Sequence, residues 1–305
     1  MVKVFRLLMK EEKGNALVLV TLALMSLLTM AGLAIDGGML FMTKSHLQKA
    51  ANAAVLSGAQ ELPHDTEEVK LIVNDILSSH DSQIALQNIE ITPEKGVGVD
   101  IEKSVKLAFS SLLGKESVNV EAHAAAKLGV MGKAVGAAPL GIDEKVVLEY
   151  YKTYKLKVDS NDVEYGNFGV LALGGTGAET YEDNLRNGYQ DEIKVGDILE
   201  TQTGNIAGKT RSVVSELVNG CTENPRDVNE RDCSRVILIP VYSEHSHDVN
   251  QLKEVEIKGF AYFYITDPMD PKDTSITGMF IKRTGTGFED DQALNKGAFS
   301  IRLTE

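Results

Sequence analysis

Two histidines and a carboxylate, His245, His247 and Asp248, fall within four residues in the run HSHD. In an extended segment alternation turns both imidazoles the same way, and imidazoles with a carboxylate form a donor set for zinc or copper. A solvated polar loop is the competing reading, and no resident metal or cofactor is expected. Cys221 and Cys233 bracket the polar segment CTENPRDVNERDC. They fit either a disulfide that ties down a long loop in an oxidising compartment or two unpaired thiols. No Cys or His pair lies near enough to complete a zinc site. Thr203–Thr210 (TGNIAGKT) resembles a phosphate-binding loop, but only three residues separate Gly204 from Gly208 and Thr203 stands where the first glycine belongs. Four intervening residues are needed to wrap phosphates in backbone amides, so the segment reads as a strand–turn–helix junction. Gly174-Gly175-Thr176-Gly177 precedes a helix candidate, where an anion can sit, although glycine-rich turns also answer purely steric needs. The acidic runs Asp267–Asp273 and Glu289–Asp291 offer oxygen ligands without a calcium-loop spacing and read as polar turns. There is no HExxH pair and no Gly-x-Ser-x-Gly elbow, and nothing promotes a Ser/His/Asp set. The chain is expected not to be an enzyme.

The elements that position these residues begin with the twenty residues from Ala16 to Ile35, which carry no charge. As a helix they rise about 30 Å, the thickness of a bilayer's hydrocarbon core. Helix-favouring residues continue past Asp36-Gly37-Gly38. Leu40, Leu47, Ala51, Ala54, Val55, Gly58 and Leu62 then recur at three-, four- and seven-residue spacings, one face of a helix. One helix over 14–62 is expected, a membrane span continuing into a stalk. Asp36 marks the level where the span meets water, or pairs with a partner. Gly37-Gly38 is a hinge or a weak point.

Four basic residues (Lys3, Arg6, Lys10, Lys13) precede the span, whereas only Lys44 and Lys49 follow it closely. That asymmetry predicts a cytoplasmic head, residues 1–13, with residues 36–305 outside. A cleaved signal is the competing reading, with Gly32-Leu33-Ala34 as a small-residue cleavage site, although its apolar region is usually only about 7–15 residues. Downstream of the span stand 27 basic and 42 acidic residues, a net charge of −15. Such a surface is repelled by phosphate backbones, so nucleic acid is excluded as a partner.

The predicted class is α+β. Pro63 stops the first helix, and a second opens at Thr66 with Val69, Ile72, Val73, Ile76 and Leu77 as its apolar face. Strands over 88–92 and 97–102 flank the turn Pro93–Gly96, then come a short helix at 107–113 and a strand over 118–126. Residues 63–128 form a small α+β module. Residues 129–141 (GVMGKAVGAAPLG) read as a linker, and 142–305 as a β-rich domain. Its predicted strands cover 146–158, 168–173, 193–201, 235–242, 255–265, 276–283 and 299–303, with helices at 180–187 and 209–219.

Lys13-Gly14-Asn15-Ala16, Ala34-Ile35-Asp36-Gly37-Gly38 and His46–Ala54 (HLQKAANAA) together resemble the N-terminus of TadG-like proteins of the tight-adherence (Tad, or Flp) pilus system. Ser117–Leu128 is similar, more weakly, to the strand closing the membrane-proximal module of TadE- and TadG-like proteins. The resemblance implies a membrane-anchored structural or accessory component of pilus assembly, a scaffold or a minor pilin-like subunit. Its partners would be the lipid bilayer and other single-span pilus proteins or pilins, with homo-oligomerisation through the helix. Pilins of this system are cut after a glycine, which would be Gly14, leaving Asn15 first. The fifth residue of the product is then Leu19, where that family has glutamate, so an uncut anchor and a processed subunit both stay open. The metal-binding Asp-x-Ser-x-Ser loop of some TadG-like proteins has its nearest approach at Asp159-Ser160-Asn161 and does not carry over. The alternative from another class is a membrane-tethered module whose 142–305 domain binds a metal, a glycan or a surface protein. An anchored hydrolase ranks last.

Overall fold

The computed structural model describes residues 15–157, 168–202, 206–221, 233–248 and 251–304. The fold is α+β, with a long first helix followed by two sheets. Helix α1, Asn15–Ala59, runs unbroken for 45 residues. Its second half supplies a core. Leu47, Ala50, Ala51, Ala54, Val55 and Ala59 are fully buried against helix α2 (Thr66–His80) and against strands β2 (Gly96–Lys106) and β3 (Ser117–Ala134). The spacing of these apolar positions is why that face turns inward. Small residues let the elements close up. A Cβ on Gly58 would lie 2.7 Å from Val73 Cγ2. The small-residue face of the second half of α1 is therefore covered by the chain's own α2 and sheet.

Helix α2 starts where Asp65 Oδ1 accepts from the Glu67 amide at 2.8 Å, an N-cap one residue earlier than Thr66. Val69, Val73 and Leu77 are its buried face. Strand β1 (Ala85–Thr92) pairs antiparallel with β2 across the Pro93–Gly96 turn, and β2 pairs with β3 from Gly96–Lys127 to Lys106–Ser117. Between β2 and β3 the chain makes one 3-10 turn, Ser110–Leu113, within the 107–113 stretch where the sequence predicts a short helix.

Beyond Leu128 the structure departs from the sequence reading. Strand β3 continues to Ala134, and Leu140–Asp143 form strand β4, buried throughout. The glycines there are sites of close approach. A Cβ on Gly129 would overlap Glu289, one on Gly132 would overlap Asp290, and one on Gly141 would press on Tyr242. A stretch without large side chains is thus packed tightly, not slack. The segment before β5 (Thr153–Lys157) is likewise irregular where a strand from 146 was expected, with Tyr151 at φ 63°.

The second sheet runs β5-β11-β10-β9-β4-β6. Its further strands are β6 (Phe168–Val170), β9 (Val236–Asp248), β10 (Gln251–Ile265) and β11 (Ser275–Ile281), with β8 (Ile198–Glu200) as a short outlier on β10, whereas the two-residue β7 (Ile193–Lys194) pairs with β3 in the first sheet. Helices α3 (Ala178–Asn187) and α4 (Ala207–Gly220) cover one face, burying Tyr181, Leu185, Val213 and Val214 with Ile239, Phe263 and Phe280. Strand β12 (Arg283–Gly285) and the short β13 (Phe288–Glu289) and β14 (Leu294–Asn295) lead to β15, Ala298–Leu303. Strand β15 returns to pair antiparallel with β3, Phe299 opposite Val130 and Leu303 opposite Ala126. The last strand of the chain thereby completes the first sheet, order β1-β2-β3-β15-β12.

Candidate functional site at the apolar helix

The first half of α1 is bare. Leu17, Met25, Leu27 and Met30 are each more than two-thirds exposed, and among the described residues this is the one helix long and apolar enough to cross a membrane. In water such a continuous apolar surface is strongly unfavourable. Two residues of 16–36 break the pattern, Gly32 and Asp36, both buried and one helical turn apart on the same side.

Asp36 is 2 % exposed. Its Oδ1 accepts from the Ala108 amide at 3.0 Å, and its Oδ2 accepts from Phe109 at 3.1 Å and Ser110 at 2.6 Å. Three successive amides opening the 3-10 turn thus converge on one carboxylate, an arrangement that holds an anion with strong hydrogen bonds. Phe109 then lies over Gly32, where a Cβ would come within 2.5 Å of the ring. Neither contact is visible in the sequence, because the partners are more than seventy residues apart. The only local sign is an aspartate closing an apolar run, and that sign names no acceptor or donor.

The other sequence candidates are scattered. Cys221 and Cys233 are joined by a disulfide with Cα atoms 4.8 Å apart, at the end of α4 and just before β9. His245, His247 and Asp248 lie on the outer end of β9, where His247 is opposite Leu252 and Asp248 opposite Gln251. His245 is exposed; the side chains of His247 and Asp248 lie outside the described residues. No group of three His, Cys, Asp or Glu placed to hold a metal occurs among the described residues. The loop 203–205 also lies outside them. The Lys209 ammonium that would face a phosphate pairs with Glu182, which is 3.0 Å from Arg186, itself 2.7 Å from Glu216. That chain of charges links α3 to α4 and holds the Glu182 carboxyl below its ordinary value, chiefly through Lys209. Gly174, Gly175 and Gly177 take positive φ, as a turn into α3 requires, and the Gly177 amide donates to Gln202 at 3.4 Å. In the acidic runs, Asp270, Asp273 and Asp290 accept from amides two residues on, at 2.7, 2.9 and 2.8 Å. These are Asx turns. Gly14 and Asp159–Asn161 lie outside the described residues, and of Asn15 only the backbone is described.

The site that tertiary structure does assemble is therefore the boundary between the bare and packed halves of α1. No curated protein and no solved structure matches the chain. Residues 14–61 match the family model described as "Putative Flp pilus-assembly TadE/G-like", which spans α1 and the turn after it. The chain thus carries an N-terminal Tad domain of the Flp pilus-assembly type, consistent with a TadG-like protein.

Proposed function

We propose that this protein is a membrane-anchored structural component of a Tad-type pilus assembly apparatus, a scaffold or minor pilin-like subunit. Residues 16–35 lie in the bilayer, residues 1–13 stay in the cytoplasm, and the acidic body from 36 to 305 stands on the outer side. The observation that carries this is α1 itself. One unbroken helix is apolar and bare over its first half and built into a core over its second. Force on the body passes to the membrane without a flexible joint, as an anchor requires. The Tad match over 14–61 supplies the system, and the basic flank supplies the orientation. The Cys221–Cys233 bridge suits an oxidising outer compartment. The bare half is left for other single-span pilus proteins or a second copy, since small and apolar residues there permit close helix packing.

The test is made in cells. Full-length protein should sediment with membranes, co-purify with the other single-span proteins of its pilus system, and be needed for filaments. A Ser79→Cys variant, altered on the exposed side of α2, should react with a membrane-impermeant maleimide in intact spheroplasts. Labelling only after lysis refutes the orientation, and a freely soluble full-length chain refutes the anchor. Mass spectrometry of the mature N-terminus decides between Met1 and a start at Asn15 after cleavage at Gly14.

A further inference from the structure

We propose that the tip of the β2–β3 hairpin, Leu107–Gly114, is a second membrane contact that dips into the lipid interface beside the span and is clamped there by Asp36. This rests on the anchoring of α1 proposed above. Four observations converge on it. The first is composition. LAFSSLLG carries no charge and is bracketed by the exposed Lys106 and Lys115. Glu116 is the one acid adjoining the bracket. An apolar loop between lysines suits a bilayer edge, where the stems lie in apolar surroundings and the ammonium groups reach anionic headgroups.

The second is level. Phe109 packs on Gly32, three residues before the end of the uncharged run, so it sits about 5 Å inside the span at 1.5 Å per residue. A body held wholly in water would not place a phenyl ring, 41 % exposed, at that depth. The third is shape. Phe109 closes the upper end of a groove of about 420 Å³ that runs along α1 past Leu33, Leu28 and Met25 to Thr21. That groove is apolar and lies on the one face of the bare half that turns toward Phe109; an acyl chain is its occupant, and the other faces of the bare half are those left for helix partners.

The fourth observation is backbone satisfaction. Near hydrocarbon every amide needs an internal partner. Leu107 donates to Glu116 at 2.9 Å, Ala108, Phe109 and Ser110 donate to Asp36, and Gly114 and Lys115 donate to Ser111 and Ser110 at 3.0 and 3.1 Å. The Ser111 hydroxyl donates to the Ala108 carbonyl at 2.8 Å. The hairpin and capping bonds are those of any tight turn, but the three amides that open it would ordinarily be left to water. Here the carboxylate at the lip of the span replaces the water, which explains why an acid is buried there.

The chain has no tryptophan, so single substitutions give unique reporters in the full-length protein reconstituted into phosphatidylethanolamine–phosphatidylglycerol vesicles. Leu28→Trp reports on the span, Phe109→Trp on the hairpin tip, and Phe288→Trp on the exposed body. Lipids brominated high in the acyl chain should quench Phe109→Trp roughly twofold or more above Phe288→Trp, as for an interfacial side chain. Aqueous acrylamide should quench mainly Phe288→Trp. Adding Asp36→Ala should shift Phe109→Trp from lipid to acrylamide quenching. If Leu28→Trp answers to lipid and Phe109→Trp only to acrylamide, the hairpin contact is wrong while the anchor stands. Shielding of Phe109→Trp from both quenchers means that protein covers the tip, which also overturns the proposal. If Leu28→Trp ignores lipid, the anchor itself fails. Ser111→Trp gives the same reading should Phe109→Trp not fold.

Discussion

Asp36 shows how much one side chain can decide. In the sequence it is an aspartate after an apolar run, read first as a marker of the interface and second as one half of a pair. In the fold it is buried and accepts from three amides of a distant turn. Removing a charged acceptor leaves its donors without partners, which costs more than the bond itself contributes. Asp36→Ala should lower the melting midpoint by several degrees, with Asp36→Asn intermediate because one carbonyl oxygen survives. Hydrogen exchange should speed up at the amides of 108–110 while those of β3 near Ala124 keep their protection. Equal exchange in wild type and variant would show that the clamp does not hold the turn. His245, whose type and spacing suggest metal chemistry, lies exposed near the end of β9.

At the level of elements, the first helix was legible from periodicity alone, since a 3.6-residue repeat of apolar side chains has few other uses. Gly37 and Gly38 were ambiguous, and α1 passes through them without a break. Both are exposed, and a Cβ at either would meet nothing within 4 Å. Gly37→Ala and Gly38→Ala should therefore each stabilise the protein by about 0.5–1 kcal/mol, read as a raised thermal midpoint. A loss of stability would mean that the pair is needed as a joint. A second element-level device lies at the edge of the outer sheet. The Asp273 carboxylate is 2.7 Å from the Lys155 ammonium of β5 and accepts from the Ser275 amide that opens β11. Lys155 first, and Ser275 after it, hold its carboxyl down at about 2, below the ordinary 3.8. A depressed folded value adds stability that is fully present above pH 3.8 and is lost as pH falls toward 2. Because both groups are partly exposed the effect is small, about 1 kcal/mol or less. Asp273→Asn should flatten the stability profile in that window and leave it unchanged in shape near neutrality. An identical acid limb in both proteins would discount the contact.

Across the whole molecule, the return of β15 to β3 ties the chain's end to its membrane-proximal sheet. The body is thus not a domain swinging on a linker. Strand β3 serves α1 with one half and meets β15, β13 and β7 with the other. Phe299, 4 % exposed, sits in that seam. Phe299→Ala should cost about 3 kcal/mol, typical of a buried phenylalanine. Calorimetry should show the membrane-proximal and outer parts losing stability together. Two separate transitions, only one of them shifted, would show that the parts fold independently.

Local features were readable from the residues alone. Twenty uncharged residues, a repeat of apolar positions and alternating strands followed by turn residues suffice for a long helix, its buried face and an α+β class, because each is a property of near neighbours. The glycines of 129–141 mislead such a reading, since a residue without a side chain fits a loose linker and a tight crossing equally well. Packing separates the two cases, by bringing Glu289, Asp290 and Tyr242 against those positions. It likewise found Asp36 its amides, because a hydrogen bond spanning seventy-two residues depends on where two elements meet and leaves no spacing to read.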